Sequence, residues 1–129
     1  MDRLPLADKT PKDQKKGIGA RILHRLANTA RMYGFDEITA TGEKSRDPKT
    51  GELRSVGHYA FARLGFDADI PAQTPPRPFD LAECTRISEL LITEEGRKFW
   101  LEAGVIVPHM TFDLTQGSKS WETLSARLG

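Results

Sequence analysis

Hydrophobic positions along this chain fall into short stretches, and the spacing within each predicts one element. Ile18, Ile22, Leu23, Leu26, Ala27, Ala30 and Tyr33 recur at three- and four-residue intervals, the signature of an amphipathic helix. Arg21, Arg25, Asn28 and Arg31 take the opposite side, so a helix is expected from about Gly17 to Tyr33. Gly34 suits the left-handed position just past its end, with Phe35 folding back onto the last turn. Asp36 to Thr41 carries β-branched Ile38, Thr39 and Thr41 and reads as a strand. Helix, glycine turn and strand make half of an α/β unit, whose first strand must come from residues 1–13.

The pattern then changes. Gly42 to Arg54 is polar, and Asp47-Pro48-Lys49-Thr50-Gly51 is a strong turn signal that can close a small exposed hairpin. Val56 to Leu64 predicts a short helix stopped by Gly65, with Phe66 turned inward. Pro71, Pro75, Pro76 and Pro78 make residues 68–79 a stiff connector that can be neither helix nor central strand. Beyond it, Asp80 and Glu83 form a capping pattern behind Phe79 as a hydrophobic staple, predicting a helix with Leu81, Cys84, Ile87 and Leu91 on one face. Thr93 is placed to cap a helix from Glu94 to Ala103 that buries Phe99 and Trp100 and stops at Gly104. Met110, Phe112 and Leu114 alternate with His109, Thr111 and Asp113, which is the period of a half-buried strand. Ser118 or Ser120 opens a last helix carrying Trp121, Leu124 and Leu128.

Composition narrows what these elements can do. The 129 residues fit one domain, and a net charge of +1 provides no global field for nucleic acid or an anionic membrane. The first sixteen residues hold five Lys/Arg against three Asp and no aromatic residue on which a base could stack, so nucleic-acid binding is not expected; a flexible arm or an edge strand is. Cys84 is the only cysteine, which excludes an intrachain disulfide and points to a reducing, cytoplasmic setting. His24, His58 and His109 are too scattered for a recognisable metal spacing. No run is long and apolar enough to span a bilayer.

One stretch carries candidate chemistry. Gln14-Lys15-Lys16-Gly17-Ile18-Gly19-Ala20 runs directly into the first helix. Glycines there strip side chains from a helix N-terminus and leave backbone N–H groups and the positive end of the helix dipole facing an anion. The plainer reading is an ordinary helix N-terminal turn with two solvated lysines.

Taken with Tyr59-Ala60-Phe61-Ala62-Arg63-Leu64-Gly65-Phe66 downstream, this loop resembles the acetyl-CoA-binding motifs of the GCN5-related N-acetyltransferases, a loop of the form Gln-x-x-Gly-x-Gly before a central helix, then a strand, then a short helix ending in Gly-Phe. The resemblance covers roughly residues 12–67. It implies an α/β fold, a partial mixed sheet of that family around the central helix, with residues 80–129 a mainly helical extension that adds one strand. It implies acetyl-CoA as the ligand, bound by the loop from Gln14 to Ala20 and cradled at its pyrophosphate by the backbone of Lys16 to Ala20 with Lys15 and Lys16 at the rim, and N-acetyl transfer as the reaction. Two departures bear on catalysis. The family places several strands and a helix before the loop where this chain has thirteen residues, so a partner chain or a second copy is expected to complete the sheet. The tyrosine that commonly protonates the leaving thiolate is replaced by Phe61, which has no proton to give. Tyr59 and His58 are the substitutes within reach along the chain, and packing is the plainer role for both. The alternative expectation is a non-catalytic scaffold or interaction module of a larger phage-type or secreted protein.

Overall fold

A computed structural model describes Pro5, Leu6 and residues 18–128. Its fold is mixed α/β. Five strands are described, β1 (Pro5–Leu6), β2 (Glu37–Gly42), β3 (Lys44–Arg46), β4 (Leu53–Val56) and β5 (Val107–Asp113), with five helices, α1 (Ile18–Met32), α2 (Gly57–Arg63), α3 (Ile87–Leu90), α4 (Glu94–Ala103) and α5 (Lys119–Leu128). β2 is the centre of a three-stranded sheet, parallel to β1 on one side and antiparallel to β5 on the other. Ile38, Thr39 and Ala40 are buried in succession. Because successive strand residues point to opposite faces, both faces of β2 are covered. No helix among the described residues is long and apolar enough to cross a membrane.

The glycine stops form as the spacing predicts. Gly34 has φ +88°; its N–H reaches the Arg31 carbonyl at 3.0 Å and the Phe35 N–H reaches that of Ala30 at 3.0 Å. Gly65 repeats the arrangement at φ +112°, with its N–H on Ala62 at 3.2 Å and the Phe66 N–H on Phe61 at 3.1 Å. Both are the paired 6→1 and 5→2 bonds of a Schellman end, which satisfy carbonyls a helix leaves open. The buried stripe of α1 is narrower than its period suggests. Ala20, Leu23, Ala27 and Ala30 are buried, whereas Ile22 is 49% and Tyr33 79% exposed. Small residues on the inner stripe bring the helix close to its neighbours and leave the flanking large side chains outside.

A single core joins the two halves of the chain. Phe61 and Phe66, around the Gly65 turn, meet edge to face with centroids 5.2 Å apart; Phe66 meets Phe112 of β5 at 5.6 Å, and Phe112 meets Trp121 of α5 at 5.4 Å. Edge-to-face pairs at such separations are worth about 0.5–1.5 kcal/mol each beyond the area they bury.

Residues 80–91 depart from the continuous helix that the Asp80–Glu83 pattern predicts. A single 3₁₀ turn, Phe79–Leu81, is followed by extended backbone before α3 begins. Two carboxylates account for the break. Glu89 accepts the N–H groups of Thr85 at 2.7 Å and Arg86 at 3.0 Å, so the helix N-terminus is reset there. Asp67 accepts from the Ser88 N–H at 2.9 Å and its hydroxyl at 2.8 Å. The segment is also tied to the start of the proline-rich stretch by the Ile70 N–H on Thr85 and the Ile87 N–H on Ala68. Phe79, expected to staple the helix, is 93% exposed.

The polar insertion closes as a hairpin, β3 paired antiparallel with β4 around an Asp47–Gly51 turn in which Asp47 accepts from the Lys49 N–H at 2.7 Å. Its basic residues grip the end of α4. Lys44 Nζ donates to the Gly104 carbonyl at 2.6 Å and also to that of Glu102, and Arg46 donates to the Glu102 carbonyl at 2.9 Å. These are the open carbonyls at the negative end of the helix dipole, where cations are stabilising. Thr93 caps the other end, accepting from the Gly96 N–H at 3.0 Å.

Gly65 and Gly117 provide a comparison of two positive-φ glycines. A Cβ at Gly65 would lie 2.5 Å from the Ser120 carbonyl oxygen and 2.9 Å from the Phe112 ring, whereas one at Gly117 (φ +80°) meets nothing within 4 Å. Gly117→Ala is expected to cost about 1 kcal/mol, the conformational term alone, and Gly65→Ala about 3 kcal/mol once the backbone clash is added. Urea unfolding of both variants checks this, and equal losses would refute it.

Candidate functional site

Parallel pairing of β1 with β2 fixes the direction in which the chain leaves β1. Pro5 pairs with Thr39 and Leu6 with Ala40, so the chain leaves β1 at the end where β2 finishes at Gly42. α1 ends at Met32 and β2 begins at Glu37, so the last turn of the helix is close to the start of the strand. Gln14, Lys15, Lys16 and Gly17 lie outside the described residues, as does the side chain of Ile18. Gly19 and Ala20 are within the first turn of α1 and are buried. No acidic residue occupies that turn, so nothing on the helix opposes an anion at its positive end.

His58 sits at the finishing end of β2. A Cβ placed on Gly42 would lie 2.9 Å from the His58 Cα and 2.5 Å from Met110 Sδ, so glycine there is what lets α2 approach the strand. His58 itself has no exposed surface. Its Nε2 lies 2.9 Å from the Trp100 carbonyl and 3.2 Å from that of Leu101. Both partners are acceptors, so Nε2 carries the proton and Nδ1 is left bare. Trp100 answers through its indole N–H, which donates to the His58 carbonyl at 2.8 Å, and the two rings are 5.4 Å apart. This reciprocal pair locks α2 onto α4. Nδ1 is buried without a partner.

Burial holds the His58 pKa below the ordinary histidine value, and the Lys44 ammonium pushes it the same way, against the backbone of Trp100, Leu101 and Glu43, which favours the charged ring. Such a ring is a neutral packing element in the folded protein. With both the ring and its N–H enclosed, it offers no route for a proton to or from an outside ligand.

Tyr59, the other candidate, is one residue along α2 and on a different face. Its hydroxyl accepts from Arg63 Nη1 at 2.8 Å, and the Arg63 guanidinium stands 5.7 Å from its ring centroid. Tyr59 is half-buried. The structure therefore does not bring His58 and Tyr59 to one point: the first faces α4 and the second faces the arginine side of α2. Phe61, in the tyrosine position of the resembled motif, is buried in the aromatic core.

At the opposite end of β2, a cleft of about 570 Å³ opens between the strand start, the end of β5 and the start of α5. Asp36, Glu37, Asp67 and Asp113 line it with Arg86 and Lys119. Glu37 and Asp113 are directly paired across β2 and β5, a like-charge pair that disfavours the sheet locally. Asp67 is committed: it accepts from Ala68, Ser88 and Arg86. Among the described residues no group of three His, Cys, Asp or Glu side chains could hold a metal ion. Cross-strand pairing is what collects these acids, and only the register of β2 against β5 could have announced it in the sequence.

The unfolded chain's His58 titrates near the ordinary value, about 6.5, and the folded one lower. Between the two, the unfolded state holds the extra proton, so stability is expected to fall as pH drops below about 6.5, by at most about 1.4 kcal/mol per unit for one proton. His58→Gln is expected to lower stability at pH 7.5 and to flatten its slope between pH 6.5 and 5. Thermal unfolding across that range tests it; an unchanged slope in the variant would assign the pH dependence elsewhere. Compared with protein-family models, with curated proteins and with solved structures, the chain matches none.

Proposed function

We propose that this chain is an acyl-CoA-binding module resembling the GCN5-related N-acetyltransferases, with the ligand's pyrophosphate on the backbone N–H groups of Lys16 to Ala20. The observation that carries the reading is the β1–α1–β2 crossover, with β1 parallel to β2 and an acid-free first turn in α1. A glycine loop between such a strand and helix meets a phosphate with aligned donors and a favourable dipole. The Schellman end at Gly65 with Phe66 buried behind it supports the same likeness.

Binding without catalysis fits the side chains better than acetyl transfer does. Acyl transfer to an amine needs a base for the nucleophile and an acid for the thiolate. His58 is enclosed and bonded through Nε2, Tyr59 is engaged by Arg63, and Phe61 has no labile proton.

Acetyl-CoA is expected to raise the thermal midpoint. At a hundredfold excess over Kd, a ligand specific for the native state adds about 2.7 kcal/mol, which is several degrees for a domain of this size. Gly17→Asp is expected to abolish the shift by placing a carboxylate at the pyrophosphate position. No shift with millimolar acetyl-CoA would refute the reading.

A second observation favours an interaction role beside it. β1 pairs with two of the six residues of β2, so the remainder of that edge has no strand partner among the described residues. A strand from a second copy or another chain is the natural complement of such an edge. Light scattering on a sizing column is expected to give more than one chain per particle, and a monomer at all concentrations would count against self-pairing.

A further inference from the structure

Four helices converge on a cavity of about 220 Å³ whose charged lining has one sign. Arg63 comes from α2, Arg97 from α4 and Arg127 from α5, and Ser88 of α3 and Thr123 complete the polar rim. No carboxylate lines it. The ion pairs among the described residues are Arg46–Glu102, Arg86–Asp67, Arg86–Asp69 and Lys98–Glu94, and none uses these three arginines. Asp67 is bonded to Ser88 behind the rim and does not line the cavity; its other partners are Arg86 and two backbone N–H groups.

Two of the guanidiniums are fixed in place by neutral partners. Arg63 donates to the Tyr59 hydroxyl, and Arg97 Nη1 donates to the Leu91 carbonyl at 2.9 Å. Each guanidinium carries five N–H donors, so both keep donors to spare. Arg127 makes no hydrogen bond or ion pair among the described residues, and its pKa is lowered first by burial and then by the neighbouring Arg63. Three positive groups are thus gathered, two of them oriented by bonds that leave their charge uncompensated. Such an arrangement is unfavourable alone and becomes favourable when an anion enters.

We propose that this cavity is a binding site for a phosphate-type oxyanion, gripped by Arg63, Arg97 and Arg127. The guanidinium fork matches the paired oxygens of such a group, and three forks from three directions match a tetrahedral one. A volume of about 220 Å³ holds the anion with room for a small organic remainder beside Leu91 and Ala62. The site is built without α1 or the loop before it, so it does not rest on the acyl-CoA reading.

The test is thermal unfolding of the full chain in inorganic phosphate at pH 7, against sodium chloride matched in ionic strength, with ³¹P line broadening as a stability-independent readout. A saturable rise at millimolar phosphate is expected, absent in chloride. Arg127→Gln lies on the exposed face near the end of α5, where it does not touch the core, and is expected to weaken phosphate at least tenfold; Arg63→Gln is expected to do the same. Gly17→Asp is expected to keep the phosphate response while losing any response to acetyl-CoA, which separates the two sites. A small phosphomonoester in place of phosphate identifies the source: tighter binding assigns an organic phosphate, equal binding the free anion, and both support the site. A rise that never saturates, or one undiminished in Arg127→Gln, is general salt exclusion and overturns the proposal.

Discussion

Everything in this fold depends on the contact between Gly65 and Ser120. The Ser120 hydroxyl donates to the Gly65 carbonyl at 2.8 Å and accepts from the Asp113 N–H at 3.0 Å. One side chain therefore ties together the end of α2, the end of β5 and the start of α5. The approach is so close that only a residue without Cβ fits at position 65, and only a positive φ turns the chain there. Phe66 is delivered into the core by that turn, and with it the aromatic run to Trp121. A conformational demand on one backbone unit thus decides where the largest side chains meet. Packing of this density leaves little freedom for the elements to slide.

Where local chemistry was sufficient, the elements were legible in the sequence. Gly34 and Gly65 announce helix ends because few other residues adopt φ +88° or φ +112°. The alternation of Met110 and Phe112 with polar neighbours reports a strand with one covered face, and Thr93 declares a cap that forms through its own hydroxyl. Residues 80–91 misled for a physical reason. Asp80-x-x-Glu83 has the spacing of a capping box, yet the cap that forms comes six residues later, from Glu89 accepting the Thr85 and Arg86 N–H groups, since Thr85 and Arg86 are drawn into extended backbone by Ile70 and Asp69. Those partners are distant in sequence, and no local pattern contains them.

The site was legible in a different way. Glycine spacing is a local signal, and it is what made 14–20 the candidate for an anion; the residues before Ile18 lie outside those described. His58 and Tyr59 stood out by chemical type, and type says nothing of what encloses a ring. The Trp100 and Leu101 carbonyls that engage His58 are contributed from more than forty residues away, with the indole returning the bond. Arg63, Arg97 and Arg127 were invisible for the same reason: each is an ordinary charge on its own helix, and only the packing of those helices makes them neighbours.

The hairpin that grips α4 separates two tasks along a few residues. Lys44 and Arg46 do the holding at its base, while the Asp47–Gly51 turn closes on itself through Asp47 and stands in solvent. Its tip contributes no side chain to the core. That makes the turn a natural graft point: a foreign peptide, a fluorophore or a crystallisation tag inserted between Pro48 and Thr50 would ride on a support anchored to the helix dipole.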